Sequence, residues 1–148
     1  MKHILGKVST FVGALVLASA ACAAETPLTL EGVKIVTAEE AKAMQDRGVP
    51  LIDTRVASEY AEKTIKGAKS VPYREKSEKA VSFDRKQDNF DVAKLPADKA
   101  APVVFFCNAG ECWKSYKSAT VARDAGYKQV YWLRGGMPEW SAKGLPTQ

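Results

Sequence analysis

The sequence predicts an α/β domain, with a central parallel sheet flanked by helices on both faces. Two observations carry this. Short apolar runs alternate along the chain with segments of helical period, the pattern of strands joined by helical crossovers. The run PVVFF at 102–106 is apolar at every position, as a strand buried on both faces requires. With 148 residues the chain suits one compact core. Its 46% hydrophobic and 26% charged residues are ordinary globular composition and argue against a disordered or fibrous chain.

Residues 1–24 stand apart from this pattern. Lys2 and Lys7 precede a small, apolar stretch from Phe11 to Ala21, and alanines crowd the end. That is the layout of a secretory signal cut after Ala24 or one residue earlier. Lys7 cuts the run short of the ~20 apolar residues a membrane span needs. Ser19, Ala20 and Ala21 lack the large aliphatic residue of a lipoprotein processing site, which argues against anchoring through Cys22. The expectation is a single periplasmic or secreted domain over 25–148, without membrane contact after cleavage. Losing Lys2 and Lys7 lowers the formal net charge from +5 to +3, too mild a charge to argue for nucleic acid. The one histidine, His3, goes with the signal, so no imidazole serves as base or metal ligand. Cys107 and Cys112 are then the only thiols.

The remaining elements follow in order. Residues 33–36 (VKIV) form a short strand. Thr37 and Glu40 fit a capping box, opening a helix that runs to about Arg47 and stops at Gly48, with Pro50 beyond. Residues 49–54 (VPLIDT) are apolar with a polar end, a buried strand whose last residues face a site. A short helix over 58–63 precedes a turn at Gly67 and Ala68, which leads into residues 69–72. Residues 73–102 read as a charged surface excursion. Between Arg74 and Lys99 there are seven basic and six acidic residues, pinned by Phe83, Phe90, Val92 and Leu95. A loop of this length is long enough to frame a binding site. The strand at 102–106 comes next, then a helix over 113–125 closed by Gly126. A strand over 129–133 follows, then Gly135 and Gly136, and a last helix over 138–143.

The chemistry sits where the strand at 102–106 turns into its helix. The turn is CNAGEC, Cys107 to Cys112. In open parallel sheets ligands bind beyond the carboxyl ends of the strands. A loop curling from such an end into a helix start turns main-chain N–H groups inward and makes a nest for negative charge. Gly110 permits the curvature. A cysteine at the centre of this nest is stabilised as thiolate, the reactive form. Cys107 is therefore the candidate nucleophile.

Three blocks resemble the rhodanese-like domain family. LIDTRVASEYAEKTIKGAKSVP (51–72) is similar to the family's first half, VVFFCNAGECW (103–113) to its active-site strand and loop, and GYKQVYWLRGGMPEW (126–140) to its closing segment. The resemblance implies a rhodanese-like three-layer fold and sulfur transfer through a persulfide on Cys107. The donor is a small molecule such as thiosulfate, and the acceptor is a thiol or cyanide. It further implies that the loop Asn108, Ala109, Gly110, Glu111, Cys112 and Trp113 holds the terminal sulfur. No cofactor is expected, and two thiolates without histidine make at best half a metal site, so no metal is expected. Asp53 and Arg55 match the family's Asp-x-Arg and brace the loop and nearby strand ends.

The departures are informative. Thr64 stands where the family has histidine, and Asn108 follows the cysteine where arginine is frequent. Cys112 occupies a position where arginine or threonine is common. Without arginine there is no bidentate oxyanion clamp, which argues against phosphatase or arsenate-reductase chemistry. Lys114 and Arg55 are the candidate substitutes toward thiosulfate. Two other readings stay open, the first through Cys112 and the second through the fold. In an oxidising compartment the pair supports a thiol–disulfide oxidoreductase with a redox protein partner. The fold also serves non-catalytic sulfur-carrier or binding modules. In the sulfurtransferase reading, Cys112 resolves the Cys107 persulfide by forming an internal disulfide.

Overall fold

A computed structural model describes residues 24–148. The export signal expected over 1–24, including His3 and Cys22, lies outside the described residues except for Ala24. Five strands form one parallel sheet in the order β1-β5-β4-β2-β3. They are β1 (Lys34–Ile35), β2 (Leu51–Asp53), β3 (Lys69–Ser70), β4 (Pro102–Phe106) and β5 (Gln129–Leu133). The helices are α1 (Ala38–Asp46), α2 (Ala57–Glu62), α3 (Trp113–Asp124) and α4 (Gly136–Ala142). Among the described residues no helix is long and apolar enough to cross a membrane.

The apolar run of β4 divides its side chains between two layers because successive side chains in a strand point to opposite faces. Val103 and Phe105 join Ile52, Val130 and Trp132 beneath Trp113, Tyr116, Ala119 and Ala122 of α3. Val104 and Phe106 join Leu51 and Leu133 against Ala38, Ala41 and Met44 of α1 and Met137 and Trp140 of α4. The three-layer architecture expected from the sequence is therefore present. β4 is central, paired with β5 over five residues and with β2 over three.

Local signals hold where they act through the main chain. Thr37 caps α1 through its side chain, Glu40 reaches back to the Thr37 N–H, and the chain turns at Gly48 with φ +89°. β4 and β5 occupy the predicted residues. The edge strand β1 is shorter than the predicted 33–36, although the Val36 N–H still donates to the Trp132 carbonyl. α2 starts one residue earlier than predicted and has no buried residue. α4 begins at Gly136, not at Pro138, because Gly136 docks on the loop after β4.

The segment after β3 leaves the sheet and returns as β4 at Pro102, so the excursion ends at 101, one residue before its predicted end. It contains two single 3₁₀ turns, Arg85–Gln87 and Val92–Lys94. Phe83, Phe90 and Val92 pack against the α3 layer and Leu95 is buried there, as expected. Its charges, however, are not all solvated. Lys117 of α3 is fully buried and lies 2.8 Å from Glu75 and 3.8 Å from Asp88, and it donates to Ser77 Oγ at 2.8 Å. Asp88 accepts from the Tyr73 hydroxyl, the Ser77 hydroxyl and the main-chain N–H groups of Lys76 and Ser77. A polar knot therefore fixes the excursion to α3.

Candidate active site

Cys107 follows the last residue of β4, and the loop it opens runs to Cys112, the N-cap of α3. Three connections hold this strand end. Thr54 donates to the Phe106 carbonyl through its N–H and its hydroxyl, at 3.1 and 3.0 Å. The Met137 N–H donates to the Cys107 carbonyl at 2.9 Å. A Cβ on Gly136 would stand 2.1 Å from that carbonyl oxygen, so the closing segment approaches this closely only with glycine there.

Gly110 plays a different part from the one expected. The left-handed residue of the loop is Ala109, with φ +55°, and Gly110 supplies clearance instead. A Cβ on Gly110 would lie 2.8 Å from the Arg134 guanidinium. Arg134 donates to the carbonyls of Thr26 and Pro27, and Thr26 in turn donates to the Gly110 carbonyl through its N–H and its hydroxyl. Trp113 donates its ring N–H to the Ala24 carbonyl. The first described residues thus strap the outer side of the loop. Neither Thr26 nor Arg134 carries a sequence signal for this, because the contacts span 84 and 108 positions. The Gly135-Gly136 doublet was the visible hint that something approaches closely there.

Cys107 and Cys112 are joined as a disulfide. The two sulfurs have different surroundings. Cys107 is 1% exposed. Its Sγ lies 2.9 Å from Ser115 Oγ and 3.4 Å from the Ser115 N–H. Ser115 occupies the third position of α3, whose N–H has no partner inside the helix and is normally capped by the N-cap side chain. The Cys112 side chain makes no such bond, and the Cys107 sulfur takes the N–H instead. Trp132, fully buried on β5, donates its ring N–H to Ser115 Oγ at 2.9 Å. Cys112 is partly exposed and lines a groove of about 240 Å³ with Glu75, Lys79, Asn108, Glu111, Trp113 and Lys114. The expected ring of loop N–H groups is not what surrounds Cys107: its sulfur meets one main-chain N–H and one hydroxyl, both of Ser115, which the sequence reading did not single out, while the Cys112 N–H donates to the Ala109 carbonyl.

Asp53 and Arg55 are buried and pair with each other. Arg55 Nε and Nη2 meet the two carboxylate oxygens at 3.0 and 2.7 Å, and Nη2 also donates to the Lys63 carbonyl at 2.6 Å. Thr64 donates its hydroxyl to Asp53 at 2.8 Å. This knot ties the carboxyl end of β2 to the chain leaving α2. Asn108 donates to Glu59 of α2, and the pair lines a second hollow, of about 270 Å³, beside Arg55. Lys114 lines the groove at Cys112 and a neighbouring one with Tyr73, Arg74 and Glu75. A further hollow, of about 770 Å³, lies at the opposite, amino ends of β2 and β4, among Gln45–Pro50, Lys66 and Pro102, away from both sulfurs. Among the described residues no group of three or more His, Cys, Asp or Glu side chains converges as a metal site would.

A parallel sheet between two helical layers, with a cysteine held at the carboxyl end of its central strand against a helix start, defines a three-layer α/β protein whose candidate site is the loop after β4. The chain belongs to the rhodanese-like domain family, whose profile matches residues 37–143. It is 31% identical over 131 residues to an HTH-type transcriptional regulator of Mycobacterium tuberculosis, a match covering 88% of this chain and 51% of the regulator. It thus spans about half of that relative's length. It is 28% identical over 99 residues to the thiosulfate:glutathione sulfurtransferase of Saccharomyces cerevisiae, covering 67% of this chain and 69% of that protein. Among solved structures, a thiosulfate sulfurtransferase from Pseudomonas aeruginosa superposes with a TM-score of 0.59 at 24% identity, over 78% of this chain and 20% of that one. The structural match agrees with the fold.

Proposed function

We propose that this protein is an exported sulfurtransferase that moves sulfane sulfur from a small donor such as thiosulfate to a thiol acceptor through a persulfide on Cys107. The observation that carries the reading is the seat of the Cys107 sulfur, at the start of α3 and within reach of two donors on Ser115. Hydrogen bonds and the positive end of a helix favour the thiolate over the thiol, so no side-chain base is required. The thiolate attacks the outer sulfur of thiosulfate, the sulfur–sulfur bond of the donor breaks, and sulfite leaves with the electron pair. An acceptor thiolate then removes the outer sulfur and regenerates Cys107. This is covalent catalysis in two steps. The yeast relative, named for transfer between thiosulfate and glutathione, supports a thiol as acceptor.

The disulfide must open before this cycle starts, because both sulfurs are engaged and Cys107 is buried. Once it is open, Cys112 is close enough to resolve the persulfide. Its thiolate attacks Cys107 Sγ, hydrosulfide leaves, and the internal disulfide returns. A Cys pair that oxidises in this way suits an exported protein. Intact-mass analysis of reduced protein after thiosulfate tests the reading. Cys112→Ser is expected to gain and keep one sulfur atom, wild type to lose it, and Cys107→Ser to gain none. Sulfur uptake by Cys107→Ser equal to that of Cys112→Ser would overturn it.

The disulfide itself favours a second reading, a thiol–disulfide oxidoreductase acting on a redox protein. Turnover with thiosulfate and cyanide separates the two, since an oxidoreductase exchanges disulfides without producing thiocyanate.

A further inference from the structure

The two cysteines of the disulfide are not equivalent, and the difference assigns each a role in its opening. An incoming thiolate attacks one sulfur of a disulfide and expels the other, so two properties decide the direction: which sulfur is accessible and which departs more readily as thiolate. Cys107 Sγ lies beneath the surface and Cys112 faces the groove lined by Lys79, Lys114 and Glu111. The departing side is also built. In a disulfide neither sulfur carries hydrogen, so at the 2.9 Å contact Ser115 Oγ is the donor and Cys107 Sγ the acceptor. Trp132 Nε1 occupies a lone pair of the same hydroxyl at 2.9 Å, which aims the single Ser115 proton at the sulfur. The Ser115 N–H adds a second donor, set against one acceptor, the Cys112 carbonyl at 3.2 Å. Ser115 and Trp132 are 1% and 0% exposed, so this charge-stabilising contact is shielded from water.

We propose that an external thiol opens the disulfide by attacking Cys112, with Cys107 leaving as a thiolate onto the Ser115 hydroxyl that Trp132 orients. The new bond joins the external sulfur to Cys112 Sγ, the Cys107–Cys112 bond breaks, and its electron pair stays on Cys107. A second thiol, from the same dithiol or another molecule, then displaces Cys112 and is oxidised with the first to a disulfide. The reductant thereby delivers Cys107 in the form the sulfurtransferase reading needs, and the inference rests on that reading only for what Cys107 does next. Cys112 is the docking sulfur for the reductant, Ser115 the donor to the leaving group, and Trp132 a positioning residue.

The test uses oxidised full-length protein and reduced glutathione, quenched with acid at early times, alkylated, and mapped by peptide mass spectrometry. Glutathione on Cys112 with alkyl on Cys107 is expected, and glutathione on Cys107 at the earliest times overturns the proposal. Ser115→Ala is expected to slow reduction roughly fivefold with the adduct still on Cys112, because a poorer leaving thiolate departs more slowly. In a Cys112→Ser background the same change moves the midpoint of the Cys107 alkylation profile up by about one pH unit. Trp132→Phe shifts both readouts the same way, and Ser115→Thr restores them. Unaltered reduction rate and alkylation midpoint in Ser115→Ala would overturn the donor role. Sulfur uptake by Cys112→Ser is read separately. Its loss would sink the sulfurtransferase reading and leave the direction of attack standing.

Discussion

At the scale of single residues, Gly136 and Gly110 show how two glycines of one loop region answer to different constraints. Gly136 has φ +54°, and a Cβ would meet the main-chain oxygen of Cys107, which cannot swing away. Gly136→Ala is expected to cost about 2–3 kcal/mol in urea unfolding and to lower sulfur transfer, because the Met137–Cys107 hydrogen bond is lost. At Gly110 the obstacle is the end of the Arg134 side chain, which can move. Gly110→Ala should cost about 1 kcal/mol through weakened Arg134 bonds to Thr26 and Pro27. The position of Cys107 at the end of the central strand was legible from the apolar run before it. Ser115 was not, because a serine eight positions on gains meaning only when Trp132 from another strand reaches its hydroxyl. The same holds for Asp53 and Arg55. Their proximity in sequence was plain, while the partners they brace, the Lys63 carbonyl and Thr64, emerge only when the chain leaving α2 returns beside β2.

At the scale of elements, α3 does two jobs. Its start supplies the donors around Cys107, and its middle carries Lys117 into the knot with Glu75, Asp88 and Ser77. Lys117→Met is expected to destabilise the protein by about 3 kcal/mol in urea titration, since removing one member of a buried charge set leaves the others unpaired. The loss should appear as loosening of the 73–101 segment, seen as faster amide exchange there than in β4 or β5. Sequence reading placed the helix correctly but did not single out Lys117, and it took the excursion's charges as a surface feature. Lysine has no apolar signature, and its burial depends on carboxylates 42 and 29 positions upstream in the chain.

For the whole molecule, the same knot sets the acid limit of stability. Burial raises the Asp88 pKa, but hydrogen bonds from the Ser77 hydroxyl and N–H, the Lys76 N–H and the Tyr73 hydroxyl outweigh it and hold the group at about 2, below the usual 3.8. Burial and the Asp88 carboxylate together push Tyr73 upward, so its hydroxyl stays protonated as donor. Because the folded-state value lies below the unfolded one, this contribution is fully present above about pH 4 and is lost as pH falls toward 2. Stability measured between pH 5 and pH 2 is expected to fall by roughly 2 kcal/mol more in wild type than in Asp88→Asn. Parallel slopes for the two proteins over that interval would contradict it.

The chain's local grammar was sufficient for the order of strands and helices, the capping box of α1, the buried central strand and the cysteine at its end. Those features depend on neighbours within a few residues, through hydrogen-bond periodicity and the alternation of side chains. The unequal surroundings of the two sulfurs, the Arg134 and Thr26 strap and the buried lysine were decided by tertiary structure alone. Each is a contact between segments far apart in sequence, and the burial and hydrogen bonding that give these groups their chemistry arise only when the layers close.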